Sequence, residues 1–433
     1  MKFIPLILIK IIFCAYYSEK VTVNKNNQSQ NETNLNTTDE NPKFTVVILS
    51  NRNDVQYIGQ IYVGTVHKTM SVIFDTGSNV LWLPSINCKT CRNESLKYNP
   101  RDSKTSKNLN KEQNISFAIG FVRGYLYEDT VSLNSNKNIF KYNKELSVDS
   151  FRILTIIEEA NLTGTISDGV MGLGINNEGN SKNSFIQSLY EQNKITSPAF
   201  SFYLLSINNI SRLYIGDILN NEYIYALFKN NIQNCYVPGS QYYWSCNVGN
   251  GVSTYDINKQ NKKTFYSNSS FIFDSGSSYT FIPENELKII MNNLNMSEKC
   301  IFNKDLQLVC KCKNEKEFGF IEIEFDENNK YVLNLEKMIN YKVGNNYPCQ
   351  FQIQVNNYEE GVWILGDSSL RGSLISFDIN DRKISFIQNI SGVIDDNNMA
   401  NSKTITQSWL FSTQFWIILA VIILVVAFLI FRF

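Results

Sequence analysis

The chain has 433 residues and 43% hydrophobic content, enough to bury a substantial core. Lysine plus arginine and aspartate plus glutamate both total 40, so the formal charge is zero, which argues against a nucleic-acid or anionic-surface binder. With a single histidine, His67, hydrolytic chemistry built on a histidine base or on His-ligated zinc would rest on one residue. Chemistry built on carboxylates is unconstrained.

In chain order, residues 1–18 start with Lys2 and run through apolar sequence interrupted by Lys10, which reads as a signal peptide. Residues 19–44 are polar and asparagine-rich, a disordered N-terminus or short prosegment. From there to about residue 388 short β-type runs such as Met70-Ser-Val-Ile-Phe and Lys383-Ile-Ser-Phe-Ile alternate with Gly, Asn and Asp turns. Helical periodicity shows only near residues 184–192 and 284–294, so the body is mainly β. His67 falls in a loop between two early strands, where a solvated spectator is expected. A polar linker, residues 389–408, leads to the apolar segment 409–433. Its 23 residues from Trp409 to Phe431 would span about 34 Å as a helix, enough to cross a bilayer. The same shape fits a GPI signal, with small residues around Asn401-Ser402, a spacer and a hydrophobic tail. The expected protein belongs to the secretory pathway, single-pass, with its body on the lumenal or extracellular side.

Nine cysteines fit that compartment. Removing Cys14 with the signal leaves an even set, Cys88, Cys91, Cys235, Cys246, Cys300, Cys310, Cys312 and Cys349, read as four disulfides. The rival is a zinc site from Cys88-x-x-Cys91 with Cys310-x-Cys312, whose second spacing is tight for the usual pattern. Sequons at Asn93, Asn161 and Asn268 suit a secreted glycoprotein, although an asparagine-rich chain produces many by chance.

The body repeats itself. Val72-Ile-Phe-Asp-Thr-Gly-Ser-Asn-Val-Leu-Trp-Leu-Pro84 aligns without a gap on Phe271-Ile-Phe-Asp-Ser-Gly-Ser-Ser-Tyr-Thr-Phe-Ile-Pro283. Each copy is followed by a paired-apolar glycine motif, Val170-Met171-Gly172 and then Ile364-Leu365-Gly366. Two halves of one design imply two similar lobes, each supplying one element of a site. In each copy the apolar run delivers a carboxylate to the end of a buried strand. The glycine lets the chain turn sharply toward its partner, and the hydroxyls can hydrogen-bond the carboxylate. Two surface turns would not explain the apolar residues on both sides.

These paired motifs resemble the pepsin-like aspartic proteases, in particular the plasmepsins of apicomplexan parasites. The likeness covers residues 54–387, with Asp54-Val-Gln-Tyr57-Ile-Gly, Tyr98-Asn-Pro-Arg-Asp-Ser, Asp168-Gly-Val-Met-Gly-Leu-Gly, Trp363-Ile-Leu-Gly-Asp and Phe377-Asp378 as further landmarks. It implies a bilobal fold with N-terminal lobe 45–215, C-terminal lobe 216–388 and the active site between them. Asp75 and Asp274 would hold the attacking water, supported by Thr76, Gly77, Ser78, Ser275, Gly276 and Ser277. Ser78 and Ser277 would bond the outer carboxylate oxygens, and the two glycine motifs would brace the catalytic loops. The pair shares one proton and titrates as a unit, needing no metal or cofactor. The implied disulfides are Cys88–Cys91, Cys235–Cys246, Cys300–Cys310 and Cys312–Cys349.

The resemblance also implies a hairpin flap at residues 115–124, carrying Phe117, Ala118, Ile119 and Gly120 above Trp82. Phe117 stands where the family carries a tyrosine that bonds the tryptophan, so Trp82 must find another acceptor. The Cys88–Cys91 loop is shorter than usual, and a basic prosegment that could plug the cleft is missing. The expected function is a monomeric aspartic endopeptidase acting on protein or peptide substrates at acidic pH, preferring apolar side chains at the scissile bond. The alternatives are a catalytically weak or inactive relative serving as a membrane-bound peptide receptor, and a structural surface glycoprotein, which leaves the duplicated carboxylates unexplained.

Overall fold

A computed structural model describes residues 44–390 except 118–119, 134–145, 163, 176–183, 343 and 389. Strands dominate, as the period-2 patterning requires. Both helical segments expected from periodicity form. α1 (Phe185–Glu191) is capped by the Ser184 side chain, and a longer helix spans Glu284–Asn293. Two short helices carried no clear signal, Glu222–Phe228, capped by Asn221, and Asp367–Leu370. They are called α2 and α4, with Glu284–Asn293 as α3.

The internal repeat becomes a repeated strand arrangement. Lys68–Asp75 runs parallel to Gly169–Gly172, with Asp75 opposite Gly172. In the second copy Ser270–Phe273 runs parallel to Val362–Leu365, with Phe273 opposite Leu365. The strand after each carboxylate, Leu81–Pro84 or Thr280–Pro283, lies antiparallel to the glycine-motif strand and parallel to a further long strand. Such strands are covered on both faces. That is why Val72 to Phe74 and Phe271 to Phe273 are unbroken apolar runs, all buried.

A six-stranded antiparallel path joins the halves in the order Gln233–Tyr236, Lys383–Ile387, Leu374–Asp378, Ala199–Tyr203, Ser211–Ile215 and Thr45–Arg52. Its residues alternate between two clusters. Val47, Phe200, Phe202, Leu213, Ile375, Phe377, Ile384 and Phe386 join the main core. Val46, Tyr203, Tyr214, Leu374 and Ile387 form a second cluster on the opposite face, with Ile224 of α2. On the main-core side Phe200 stacks on Phe377 at 4.9 Å and Phe386 on Phe273 at 6.2 Å, tying this sheet to the strand that precedes Asp274.

The eight cysteines form four disulfides, Cys88–Cys91, Cys235–Cys246, Cys300–Cys310 and Cys312–Cys349, so the zinc alternative is set aside. His67 is exposed in the turn between Gln56–Val63 and Lys68–Asp75. Among the described residues no helix is long and apolar enough to cross a membrane. The signal segment 1–18, the linker 389–408 apart from Ile390, and the apolar segment 409–433 lie outside the described residues.

Candidate active site

Asp75 ends a buried strand and Asp274 directly follows one, and the chain then turns back in each copy. The turns are held from outside by the glycine motifs. The Leu173 N–H donates to the Asp75 carbonyl (2.7 Å) and the Asp274 N–H donates to the Leu365 carbonyl (3.0 Å). Glycine is required in both motifs by close approach. A Cβ on Gly172 would lie 2.4 Å from the Val80 nitrogen, and one on Gly366 would lie 2.2 Å from the Tyr279 carbonyl oxygen.

Thr76 and Ser275 lock the two turns together. The Thr76 hydroxyl donates to the Phe273 carbonyl (2.7 Å) and accepts from the Ser275 N–H (2.9 Å). The Ser275 hydroxyl donates to the Phe74 carbonyl (2.7 Å) and accepts from the Thr76 N–H (3.1 Å). Both side chains are buried, so every polar group in the lock is satisfied internally.

The lock brings the carboxyls into contact. Asp75 and Asp274 face each other closely enough to interact directly. A methyl group on Gly276 would lie 2.1 Å from Asp75 Oδ1, and one on Gly77 would lie 2.6 Å from Asp274 Oδ1. Each carboxylate also accepts from the glycine two residues on, Gly77 N–H to Asp75 and Gly276 N–H to Asp274, both at 2.8 Å.

The outer oxygens break the symmetry. Ser78 Oγ donates to Asp75 Oδ2 at 2.5 Å, as the resemblance implies. Ser277 departs from that expectation: its hydroxyl donates to the Tyr279 carbonyl at 3.1 Å, a local backbone acceptor that competes successfully for the proton. Asp274 therefore lacks the hydroxyl support that Asp75 has. Burial pushes the Asp274 carboxyl well above the usual carboxylate range, and the negative charge of Asp75 acts in the same direction.

One further acid carried no assigned role in the sequence. Asp367, first residue of α4, is buried, and its Oδ1 has no hydrogen-bond partner among the described residues. Burial raises its pKa well above normal; Arg371 opposes this, and the charges of Asp274 and Asp75 add to it. Its signal was its place in Trp363-Ile-Leu-Gly-Asp367, noted only as a landmark. Arg371 in turn pairs with Asp54 at 3.7 Å and donates to the Asp54 carbonyl and to Gln352, joining first- and second-half residues.

The hairpin Lys107–Ser116 with Phe121–Leu133 closes through the Phe117 N–H donating to the Gly120 carbonyl (2.9 Å). Gly120 has φ 85°, and a Cβ there would strike the Ala160 carbonyl oxygen. Phe117 packs on the cluster that holds Trp82, Val122 and Cys88. Trp82 Nε1 is buried without a hydrogen-bond acceptor among the described residues, so none of them supplies the replacement acceptor that the sequence called for. Ala118 and Ile119 lie outside the described residues.

The strand arrangement and the paired turns define a pepsin-like aspartic protease framework. This chain belongs to the eukaryotic aspartyl protease family, whose sequence profile matches residues 56–389. It is 27% identical to chymosin of Camelus dromedarius over 347 residues, covering 78% of this chain and 82% of chymosin. Plasmepsin IV of Plasmodium falciparum (isolate 3D7) is 26% identical over 340 residues, 77% of this chain and 69% of the plasmepsin. Candidapepsin-4 of Candida albicans (strain WO-1) is 26% identical over 353 residues, 77% of this chain and 76% of the candidapepsin.

Proposed function

We propose that the chain is an active aspartic endopeptidase using Asp75 and Asp274 as its catalytic carboxylates. The observation that carries this reading is the contact between the two carboxyls, held by the Thr76–Ser275 lock. Two carboxylates this close share one proton. In this reading Asp75, which accepts from the Ser78 hydroxyl and the Gly77 N–H, is the charged partner, and Asp274, pushed up by burial and by the Asp75 charge, is the protonated one. Asp75 then draws a proton from a water lying between the pair as that water attacks the scissile carbonyl. Asp274 donates to the oxyanion as it forms. Collapse of the tetrahedral intermediate returns a proton to the leaving amine.

Activity belongs at acidic pH, within the window where the pair carries one proton. Phe117 offers an apolar ring at the hairpin, which supports a preference for apolar side chains beside the scissile bond. The apolar run 409–431 supports a single-pass anchor with the body lumenal or extracellular, and a monomer suffices because both carboxylates come from one chain. The test is cleavage of a peptide library at acidic pH by the wild type, Asp75→Ala and Asp274→Ala. Each variant should lose cleavage by several orders of magnitude; substantial activity in either one refutes the mechanism.

A further inference from the structure

The six-stranded sheet separates two sides of the body. One face packs into the core beneath the dyad, through Phe386 on Phe273. The other is covered by α2, where Ile224 is buried and Tyr223 and Phe228 lie half-buried against the sheet. The outward flanks of α2 are apolar and open, with Tyr225 41% and Leu227 52% exposed. Ile390 packs on that same second cluster, so the chain leaves the body on the α2 side.

The length of chain beyond Ile390 sets the geometry. The 18 residues 391–408 are mostly polar, and a random chain of that length has a typical end-to-end span of about 23 Å. A body of this size has a radius of gyration of about 20 Å and is about 50 Å across. If residues 409–431 lie in a bilayer, the typical span of the tether is shorter than the body, which favours orientations with the side carrying Ile390 toward the membrane. The open flanks of α2 belong to that side. A tether this short also raises the local concentration of bilayer into the millimolar range, so weak apolar contact is enough.

We propose that α2 rests on the membrane surface, with Tyr225 and Leu227 at the headgroup–acyl boundary and the dyad directed away from the bilayer. This inference rests on the anchor reading above. Tyrosine suits the boundary because it joins an apolar ring to a polar tip. Glu222 on α2 and Lys229 at its C-cap are also exposed, and their opposite charges give no preference for anionic lipid. Phosphatidylcholine should therefore suffice.

The test uses the full chain in phosphatidylcholine nanodiscs, with lipid either unmodified or brominated high on the acyl chain. Leu227→Trp places an indole on α2, Gln113→Trp places one on the hairpin of the dyad side, and the wild-type signal is subtracted. Contact predicts about a twofold loss of fluorescence at position 227 in brominated discs and none at 113. Trp409 and Trp416 in the apolar segment report the anchor independently. Quenching of the wild-type tail without quenching at 227 overturns the docking while leaving the anchor. Absence of quenching at both removes the anchor and the docking with it. Quenching at 113 but not at 227 reverses the proposed orientation and also overturns it.

Discussion

Thr76 and Ser275 hold each other through two hydrogen bonds, and two more from their hydroxyls to the Phe273 and Phe74 carbonyls also cross between the two copies of the repeat. Thr76→Val keeps the shape but strands the Ser275 N–H and the Phe273 carbonyl in a buried site. It should cost about 2–4 kcal/mol in denaturant unfolding, whereas Thr76→Ser should cost under about 1.5 kcal/mol. With Ser275→Ala, a double-mutant cycle should give a coupling energy of about 0.5–3 kcal/mol. Strict additivity would mean that the two hydroxyls do not act as one unit.

Ser78→Ala removes the hydroxyl that supports the Asp75 carboxylate, so the first ionisation of the pair becomes harder. The acid limb of the pH–rate profile should move to higher pH, with kcat/KM at its maximum reduced about tenfold. Ser277→Ala should leave the profile in place, because that hydroxyl serves the Tyr279 carbonyl. An equal shift in both variants would show that Ser277 turns toward Asp274 in the working enzyme.

The raised carboxyls make stability fall with rising pH. Below the ordinary aspartate pKa, near pH 4, both folded and unfolded states hold these protons. Above it the unfolded chain releases them, while Asp274 and Asp367 resist ionisation in the folded state. Folding stability is therefore lost progressively as pH rises from about 4 toward the raised folded values. Asp256, Glu324 and Asp326 shift the opposite way, so the variant difference is the diagnostic quantity. Asp367→Asn should gain stability relative to the wild type at about pH 7 compared with about pH 4. A pH-independent difference in urea midpoint would count against a raised Asp367.

Phe117→Tyr would bring a hydroxyl to the cluster that contains Trp82, whose indole N–H lacks an acceptor among the described residues. The gain is about 1 kcal/mol, so a statine-type inhibitor that closes the hairpin should bind about fivefold tighter with cleavage retained. Complete loss of activity would show that Phe117 fills a pocket which cannot admit the oxygen.

Much of the site was legible because its determinants are local and duplicated. Asp75, Asp274, Thr76 and Ser275 lie in gapless copies of one motif, and α1 and α3 announce themselves by apolar spacing. The features that escaped depend on choices that local pattern does not encode. The Ser277 hydroxyl took a local backbone acceptor, the Tyr279 carbonyl, in place of the carboxylate that the motif implies. Asp367 gained its environment from burial beneath strands distant in sequence. α2 has only seven residues, with Tyr and Phe among them, and forms because the sheet face beneath Ile224 has to be covered. The pairing of Ala199–Tyr203 with Leu374–Asp378 joins segments far apart, and no short-range signal reports it.

That pairing governs how the protein can be made. At a synthesis rate of about 5–20 residues per second, the strand Leu374–Asp378 leaves the ribosome roughly 10–35 seconds after Ala199–Tyr203. During that interval the first half can assemble the strands around Asp75, but Phe200 and Phe202 have neither Phe377 beside them nor a neighbour along one edge. An unpaired, aromatic edge is a template for the wrong partner. The nascent chain therefore needs that edge shielded until its final strands arrive, and the cleft can close into a working dyad only after nearly the whole body has been synthesised.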